Sequence, residues 1–396
     1  MLPKLTILIL LFLTSFSRIN PEPDAFKTSL EMARNHNYTI ESHEIPTPDG
    51  FMHTIFRIPS KTPPTSPSPK KPAILLQHGC FQSSDAWLDN GIYSPAYSLS
   101  ERGYDVWLGN IRGNRYSRHS NSSYFQEHNL WNYSVQDIGL LDTRPTIQYI
   151  LNYTGNEKLA YVAYSQGNTQ IFAAMSIDPV FFKQRVSAVF SIAPVLRFGG
   201  RNYLFVVLAC LRVEKIFVYF GVKQFFPYTY ELSRLLYAVV YYFKPFGRFL
   251  TQLVSDGEGS LYNDEKLPVL FSHFPDGPSM KIGGSHFQNL REEEFGHDVV
   301  DDHETEKFEK YNLRDIPDIP IGMACGKIDK VAELHNSRWM RDELEAIGVL
   351  KMYNEYDKMG HVAFNIPDGS FESLQYLFDA GEFLDKYAKP KTYLRQ

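Results

Sequence analysis

The chain has 396 residues, of which 43% are hydrophobic and 15% aromatic, and its formal net charge at pH 7 is −5. That length accommodates a large α/β core together with an insertion, and it exceeds the size of one minimal domain. The sequence contains no basic run of the kind that binds nucleic acid, so these numbers exclude a nucleic-acid partner.

Residues 1–17 have the pattern of a secretory signal peptide. Lys4 supplies the positive charge, Ile7 to Leu13 form an uninterrupted apolar run, and Ser15 to Ser17 offer small residues for cleavage. The apolar run is too short to span a bilayer, which disfavours a membrane anchor. These features predict entry into the secretory pathway. Four N-glycosylation sequons agree with that route, and they begin at Asn37, Asn121, Asn132 and Asn152.

Beyond the leader, the first regular structure predicted is a β-hairpin. The alternation of apolar and polar residues within residues 44–58 predicts two strands, and Pro48 to Gly50 provide the turn. Residues 59–72 are rich in Pro, Ser and Lys, and we predict that they form an exposed loop between strands.

From Ala73 onwards the chain alternates between apolar strands and segments with helical spacing. We predict strands over residues 73–77, 104–108, 159–163 and 186–192, and a helix over residues 137–152. Strands that alternate with helices predict a mostly parallel sheet that is covered on both faces.

The alternation stops near Leu196 and resumes near Ile319. Aromatic and aliphatic segments between them predict short helices, because no apolar run reaches the roughly 18 residues of a transmembrane helix. The charged residues 292–306 are interpreted as a solvated face. We therefore predict a core of residues 18–195 and 318–396 with an inserted, mainly helical cap over residues 196–317. The second part of the core is predicted to contain strands over 319–326 and 350–353 and helices over 332–346 and 370–386.

The five residues from Ala163 to Gly167 join a predicted strand to a predicted helix, with Ser165 at their centre. A serine on such a tight turn exposes its Oγ at the top of the sheet. The turn also directs the backbone N–H of Gln166 towards any oxyanion formed at Ser165. The pattern departs from G-x-S-x-G by the methyl group of Ala163, which weakens the motif but does not forbid the turn.

Asp329 and His361 are the candidate partners of this serine. Both follow predicted strands, at the edge of the sheet where function collects in open parallel sheets. A histidine can accept the serine proton, and a carboxylate on its other ring nitrogen fixes the tautomer. The order Ser165, Asp329, His361 also matches one known class of Ser–Asp–His triads. The rival acids lie in the polar part of the cap, and they are Asp298, Asp301 and Asp302.

A second oxyanion donor is expected from the segment that follows the strand over residues 73–77. The backbone N–H of Cys80, directly after His78 and Gly79, is the natural partner of the Gln166 N–H. We interpret His78 as a residue that shapes this loop and not as a base.

The three cysteines, Cys80, Cys210 and Cys325, do not form a disulfide framework, because an odd number leaves at least one thiol free. Cys80 and Cys325 follow apolar runs, which predicts buried free thiols. The Cys and His residues have no zinc-site spacing, so no metal site is predicted.

Several segments together resemble the acid lipase family of α/β-hydrolases, which includes gastric lipase, lysosomal acid lipase and related steryl ester hydrolases. The longest and most specific match covers Gly103 to Asn114. The resemblance extends from about Asp24 to the last predicted helix. Its other segments are Pro48 to Gly50, Arg57 to Pro59, Leu76 to Gly79, Tyr164 to Gly167, His273 to Pro275 with Gly277 and Ser279, Gly326 with Asp329, and His361.

The resemblance implies an α/β-hydrolase fold with Ser165 as nucleophile, Asp329 and His361 as its partners, and the Cys80 and Gln166 amides as the oxyanion hole. It implies hydrolysis of long-chain fatty-acid esters, triacylglycerols or steryl esters, without a cofactor. The cap would then be a lid over an apolar acyl tunnel, and the protein would meet its substrate at a lipid–water interface, with contact to a membrane or lipid droplet. The expected location is extracellular, lysosomal or vacuolar.

Three departures from the family pattern are Ala163, Cys80 in place of an aliphatic residue, and a cap that matches only loosely. Two other functions stay open at this point. One is a non-catalytic lipid-binding protein on a hydrolase scaffold, which Ala163 alone supports. The other is an acyltransferase that uses the same triad and passes the acyl group to an alcohol. The sequence does not determine the preferred ester, the pH optimum or the oligomeric state.

Overall fold

The computed structural model describes residues 21–61, 70–119, 130–198, 202–300 and 306–389. The predicted signal peptide, the sequon at Asn121, most of the predicted loop over residues 59–72, and the acids Asp301 and Asp302 lie outside the described residues.

The strands of the described chain form one large sheet and one separate hairpin. Their bounds are β1 Glu41–Pro46, β2 Phe51–Ile58, β3 Ala73–Gln77, β4 Asp105–Leu108, β5 Ser117–His119, β6 Leu159–Tyr164, β7 Val186–Ile192, β8 Gly296–Val300, β9 Glu306–Lys310, β10 Ile321–Gly326 and β11 Leu350–Tyr356. The large sheet has the order β1-β2-β4-β3-β6-β7-β10-β11, and β5 pairs with β2 at its side.

The large sheet is parallel from β4 to β11, whereas β1, β2 and β5 pair in antiparallel fashion. Every residue of β3, β4, β6 and β10 is buried. Strands buried on both faces appear in a sequence as short continuous apolar runs, which is why these four were predictable. The predicted mostly parallel sheet and the predicted first hairpin are confirmed.

The α-helices of the core and of the insertion follow in chain order. They are α1 Ser29–Asn35, α2 Pro95–Glu101, α3 Arg144–Thr154, α4 Gln166–Ile177, α5 Pro179–Arg185, α6 Tyr203–Cys210, α7 Val213–Tyr219, α8 Tyr230–Tyr242, α9 Lys244–Val254, α10 Leu267–His273, α11 Met280–Glu292, α12 Leu334–Ala346 and α13 Phe371–Tyr387. A short α-helical turn, Val135–Asp137, and a π-helical segment, Ile138–Thr143, precede α3.

Two apolar clusters lie on the two faces of the sheet. On one face Tyr97 of α2 and Phe383 of α13 belong to the cluster that contains Phe190. On the other face Phe172 of α4 and Met340 of α12 belong to the second cluster. Helices therefore cover both faces, as the alternating pattern predicted, and only the ends of the strands are left for a site.

The insertion lies between β7 and β10, which are neighbours in the sheet, so the chain leaves the sheet and returns beside the point of departure. Helices α6 to α11 fill most of it. No helix in the described part of the chain is both long and apolar enough to cross a membrane. The exact limits of the core and cap, at residues 195 and 318, stay predictions.

The charged segment that was interpreted as a solvated face contains a hairpin that the sequence analysis did not predict. Strands β8 and β9 pair antiparallel from Gly296 opposite Lys310 to Val300 opposite Glu306. At the base of the hairpin the buried Phe295 ring packs on Tyr311, with 4.9 Å between the ring centroids. Apolar residues outside the strands anchor the hairpin, whereas charged residues lie within the strands. The sequence pattern therefore did not predict these strands.

Candidate active site

Ser165 occupies a strained turn between β6 and α4. Its backbone has φ 52° and ψ −120°, a conformation that a non-glycine residue rarely adopts. Gly167 makes the turn sterically feasible, because a Cβ at that position would lie 2.6 Å from the Gln77 carbonyl oxygen. Such strain persists where the surrounding structure fixes it, and it concentrates at functional sites.

Ala163, the departure from the familiar motif, lies fully buried in the apolar cluster that contains Phe172. On β6 it pairs with Gln77 of β3 and Ser191 of β7. Its methyl group therefore packs into the core two residues before the serine. The structure gives no steric reason for the alanine to impair the turn.

The structure brings Ser165, Asp329 and His361 together at the carboxyl edge of the sheet. Ser165 Oγ lies 2.9 Å from His361 Nε2, and His361 Nδ1 lies 2.8 Å from Asp329 Oδ2. With a neutral ring, the serine hydroxyl donates to Nε2 while Nδ1–H donates to the carboxylate. The serine and the histidine are only 5% and 8% exposed, so both hydrogen bonds are shielded from solvent.

Asp329 follows β10, and both of its carboxylate oxygens have partners. Oδ1 accepts hydrogen bonds from the backbone N–H groups of Val331 and Ala332, both at 2.8 Å. Oδ2 is thereby left to face the imidazole. The rival Asp298 lies on β8 of the cap hairpin.

Two contacts hold the loop that carries His361. The Tyr164 hydroxyl donates to the His361 carbonyl oxygen over 2.9 Å. On the other side the next amide, that of Val362, donates to Asp256 over 2.8 Å. Sequence analysis missed Asp256, because a single acidic residue in an insertion has no periodic or motif signal.

The loop after β3 lies against the serine. A Cβ at Gly79 would come within 2.8 Å of the Ser165 Cβ, so the following Cys80 is close to Ser165 in space. Gln166 is the first residue of α4, where backbone N–H groups are free and the helix dipole favours a negative charge. Cys80 as a whole residue is partly exposed, but its thiol is buried. This burial raises the pKa of the thiol well above its ordinary value. A neutral thiol at this position is a weak nucleophile.

His78 is buried and shapes the same loop. Its Nδ1 donates to the Gly79 carbonyl oxygen over 2.8 Å, and its Nε2 accepts from the Asn114 side chain over 3.2 Å. Burial lowers the pKa of His78 to about 4, so the ring is neutral at neutral pH. These contacts agree with its interpretation as a loop-shaping residue.

His286 is a second residue that sequence analysis missed. It lies on cap helix α11, and its Nε2 donates to the Gln166 side-chain oxygen over 3.0 Å. Burial lowers the pKa of His286 to about 4, which keeps the ring neutral and suited to this hydrogen bond. The cap therefore contacts the residue that follows the nucleophile. The histidine's position on a largely polar amphipathic helix gave no sign of this contact.

Among the described residues, no group of three or more His, Cys, Asp or Glu side chains is arranged to hold a metal ion. All three thiols are free, with Cys325 buried and Cys210 exposed. The sequon residues within the described ranges are all exposed, and they are Asn37, Asn132 and Asn152.

Two family models match the chain. A model described as a partial α/β-hydrolase lipase region matches residues 30–91, and one described as the α/β-hydrolase fold matches residues 72–209. Among solved structures, that of DcsB in complex with its substrate analogue superposes with a TM-score of 0.53. It covers 88% of this chain and 99% of its own at 14% identity, so this likeness concerns the fold alone.

Curated relatives are lipases. A probable lipase of Schizosaccharomyces pombe is 30% identical over 326 residues, which are 77% of this chain and 67% of the relative. Gastric triacylglycerol lipase of Mus musculus is 33% identical over 219 residues, which are 54% of this chain and 55% of the relative. The matches thus span between about half and two thirds of the length of these relatives.

Proposed function

The chain belongs to the lipase family of α/β-hydrolases, a class of carboxylic ester hydrolases, and on that premise we propose that it hydrolyses long-chain fatty-acid esters through an acyl-enzyme. The observation that carries this proposal is the hydrogen-bonded line from Ser165 Oγ through His361 to Asp329. The substrates are triacylglycerols or steryl esters. The similarity to gastric triacylglycerol lipase supports the first of these classes.

In the proposed reaction Ser165 Oγ attacks the ester carbonyl carbon while His361 Nε2 takes the hydroxyl proton. The negative charge that forms on the carbonyl oxygen is stabilised by the backbone N–H groups of Gln166 and Cys80. His361 then returns the proton to the departing alcohol, which leaves an acyl-serine. Water repeats the sequence, with the histidine as base and then as acid, and releases the fatty acid. Asp329 stabilises the imidazolium in both halves.

The two other functions make different predictions. A lipid-binding protein on this scaffold would not react with a fluorophosphonate, whereas the proposed lipase is labelled once, at Ser165. Ala163, the one sequence feature that favoured that alternative, is buried in the core two residues before Ser165. An acyltransferase would form a new ester when sterol or glycerol is added, and product analysis separates it from a hydrolase.

We expect the purified protein to hydrolyse p-nitrophenyl esters and to prefer long acyl chains over short ones. Each buried methylene contributes about 0.8 kcal/mol, so even two additional buried methylenes give a preference of roughly tenfold in kcat/KM. The measurement is kcat/KM for butyrate through palmitate esters from acidic to mildly alkaline pH. A folded protein without any turnover would contradict the proposal, and a preference for butyrate would contradict its long-chain part.

We further propose that the cap contacts the lipid surface through exposed apolar side chains. These side chains lie on α6, on α7 and directly after α7, and they are Tyr203, Val207, Ile216, Phe217, Val218, Tyr219 and Phe220. Tyr219 and Phe220 are 85% and 75% exposed. Adjacent exposed apolar side chains of this kind mark contact sites for lipid or protein.

Replacement of Tyr219 and Phe220 by serine is expected to weaken binding to phosphatidylcholine vesicles more than tenfold. The loss of two aromatic side chains from a lipid interface removes roughly 3 kcal/mol of apolar transfer energy. Vesicle co-sedimentation measures it, and an unchanged thermal midpoint shows that the fold is intact. Phe371→Ser is the matched control, because Phe371 is 74% exposed on the core helix α13. Equal binding by the wild type, the double serine variant and Phe371→Ser would contradict the proposal that these cap side chains contact lipid.

We also propose that the protein enters the secretory pathway and becomes extracellular or lysosomal. The signal-peptide pattern of residues 1–17 supports this location, as do the exposed sequon residues Asn37, Asn132 and Asn152.

A further inference from the structure

Asp256 is a completely buried carboxylate that the proposed reaction does not use. It lies two residues after cap helix α9, in the segment Ser255 to Ser260. It belongs to no sequence motif and to no predicted helix or strand. Its contacts nevertheless converge on the two loops that carry the acid and the base of the candidate triad.

The first set of contacts holds the His361 loop. Asp256 Oδ1 accepts the Val362 N–H over 2.8 Å, and Oδ2 accepts the Ala363 N–H over 3.3 Å. The Ser260 hydroxyl donates to Oδ2 over 2.6 Å and accepts the Gly360 N–H over 3.2 Å. Backbone amides on both sides of the histidine are therefore fixed by one carboxylate and its serine partner.

The second set of contacts holds the Asp329 loop. Asp256 and Asp329 form an isolated antiparallel β-bridge. Around it the Gly257 N–H donates to the Ile328 carbonyl oxygen over 2.7 Å, and the Lys330 N–H donates to the Ser255 carbonyl oxygen over 2.9 Å. The same short cap segment is thus attached to both loops by backbone as well as side-chain hydrogen bonds.

We propose that Asp256 is a positioning residue of the ester hydrolase, a carboxylate supplied by the cap that fixes His361 against Asp329 and adds a second negative charge beside the imidazole. This inference rests on the proposed function, because it assigns a role to a residue that acts through the catalytic base. It makes the geometry of the site dependent on the cap as well as on the sheet.

The charge of Asp256 affects the protonation of the nearby imidazole, and the direction of that effect can be measured. Burial raises the pKa of Asp256, and the hydrogen bonds from Ser260 and Val362 oppose that effect. The other titratable groups that face this carboxylate are Asp329 and His361. The hydroxyls of Tyr164 and Tyr262 also sense it, and both have raised pKa values that keep them neutral. Since two carboxylates favour the imidazolium, removal of one must favour the neutral ring.

The test compares the full-length wild type with Asp256→Asn and Ser260→Ala, using kcat and KM for a p-nitrophenyl ester across pH. Asp256→Asn is expected to lower kcat 10- to 100-fold with KM unchanged, because small misplacement of a base costs about that much. It is also expected to move the acidic limb of the kcat/KM profile about one pH unit lower. A residue that only stabilises the fold would lower activity without moving that limb.

Ser260→Ala removes one hydroxyl and no charge, so it is expected to lower kcat about threefold and to leave the acidic limb in place. Wild-type kcat and an unmoved limb in Asp256→Asn would overturn the inference. If that variant does not fold, wild-type kcat in Ser260→Ala would overturn it instead. A wild type that neither turns over esters nor reacts with a fluorophosphonate would contradict the proposed function itself, which is a distinguishable result.

Discussion

Replacement of Ser165 by alanine is expected to lower kcat for a long-chain ester by about 10⁶-fold, because it removes the hydroxyl that is proposed to form the acyl-enzyme. The hydroxyl contacts His361 Nε2 over 2.9 Å, so the variant also removes the proton donor of that hydrogen bond. Steady-state hydrolysis and fluorophosphonate labelling measure the effect, and both should disappear together.

The fold of this variant should survive. Alanine has no greater difficulty than serine with the φ of 52° at this position, and the lost hydrogen bond contributes about 1 kcal/mol. The thermal midpoint should therefore stay within a few degrees of that of the wild type. Activity at the wild-type level in a folded Ser165→Ala protein would show that another residue is the nucleophile.

Replacement of Asp329 by asparagine is expected to lower kcat by about 10⁴-fold, the effect of an imidazole held in the wrong tautomer. The surrounding backbone N–H groups determine the orientation of the asparagine side chain. The N–H groups of Val331 and Ala332 both donate to Oδ1, a position that only the amide oxygen can take. The amide NH₂ then replaces Oδ2 and donates to His361 Nδ1.

With Nδ1 as acceptor, the ring proton lies on Nε2, which can no longer take the proton of Ser165. Because the contacts to Val331 and Ala332 are kept, the protein should fold normally, and KM should change little. The measurements are kcat and the rate of fluorophosphonate labelling. Loss of less than tenfold in kcat would show that Asp329 is not the essential acid and would direct attention to Asp256 as the carboxylate that stabilises the base.

These two predictions also separate the role of the serine from that of the acid. The residual rate of Asp329→Asn should exceed that of Ser165→Ala, since the first variant retains the serine hydroxyl and both retain the Gln166 and Cys80 amides. Equal rates would mean that the reaction depends on the tautomer as strictly as on the nucleophile.

The sequence by itself determined the strands of the sheet and the residues that follow them. Strand β7 has the predicted bounds, and β6, β10 and β11 differ from their predictions by a few residues at their ends. The reason is local. Strands β6 and β10 are buried throughout and appear in the sequence as continuous apolar runs, whereas β11 is an end strand that is only partly buried. A residue that follows a strand of a parallel sheet comes to lie at one edge of the sheet, which is why Ser165, Asp329 and His361 could be selected as candidates.

Residues of the cap that contact the candidate site had no comparable sequence pattern. His286 lies 121 positions and Asp256 lies 91 positions from Ser165 in the sequence. His286 contacts the site through its side chain, and Asp256 does so through its side chain and its backbone. The β8–β9 hairpin was missed because four of the five residues of β9 are charged. Strand β5 was missed because three residues are too few for a periodic pattern.

What the sequence determined is therefore the sheet, because strands that are buried on two faces appear as continuous apolar runs, and the candidate nucleophile, because a strained turn restricts which residues can flank it. Only the tertiary structure decided how the cap meets that sheet. Hydrogen bonds between Asp256 and the amides of Val362 and Ala363 join segments about 100 residues apart and depend on where two loops end in space. Every residue except proline carries the same backbone N–H donor, so no sequence pattern records which carboxylate that donor will bind.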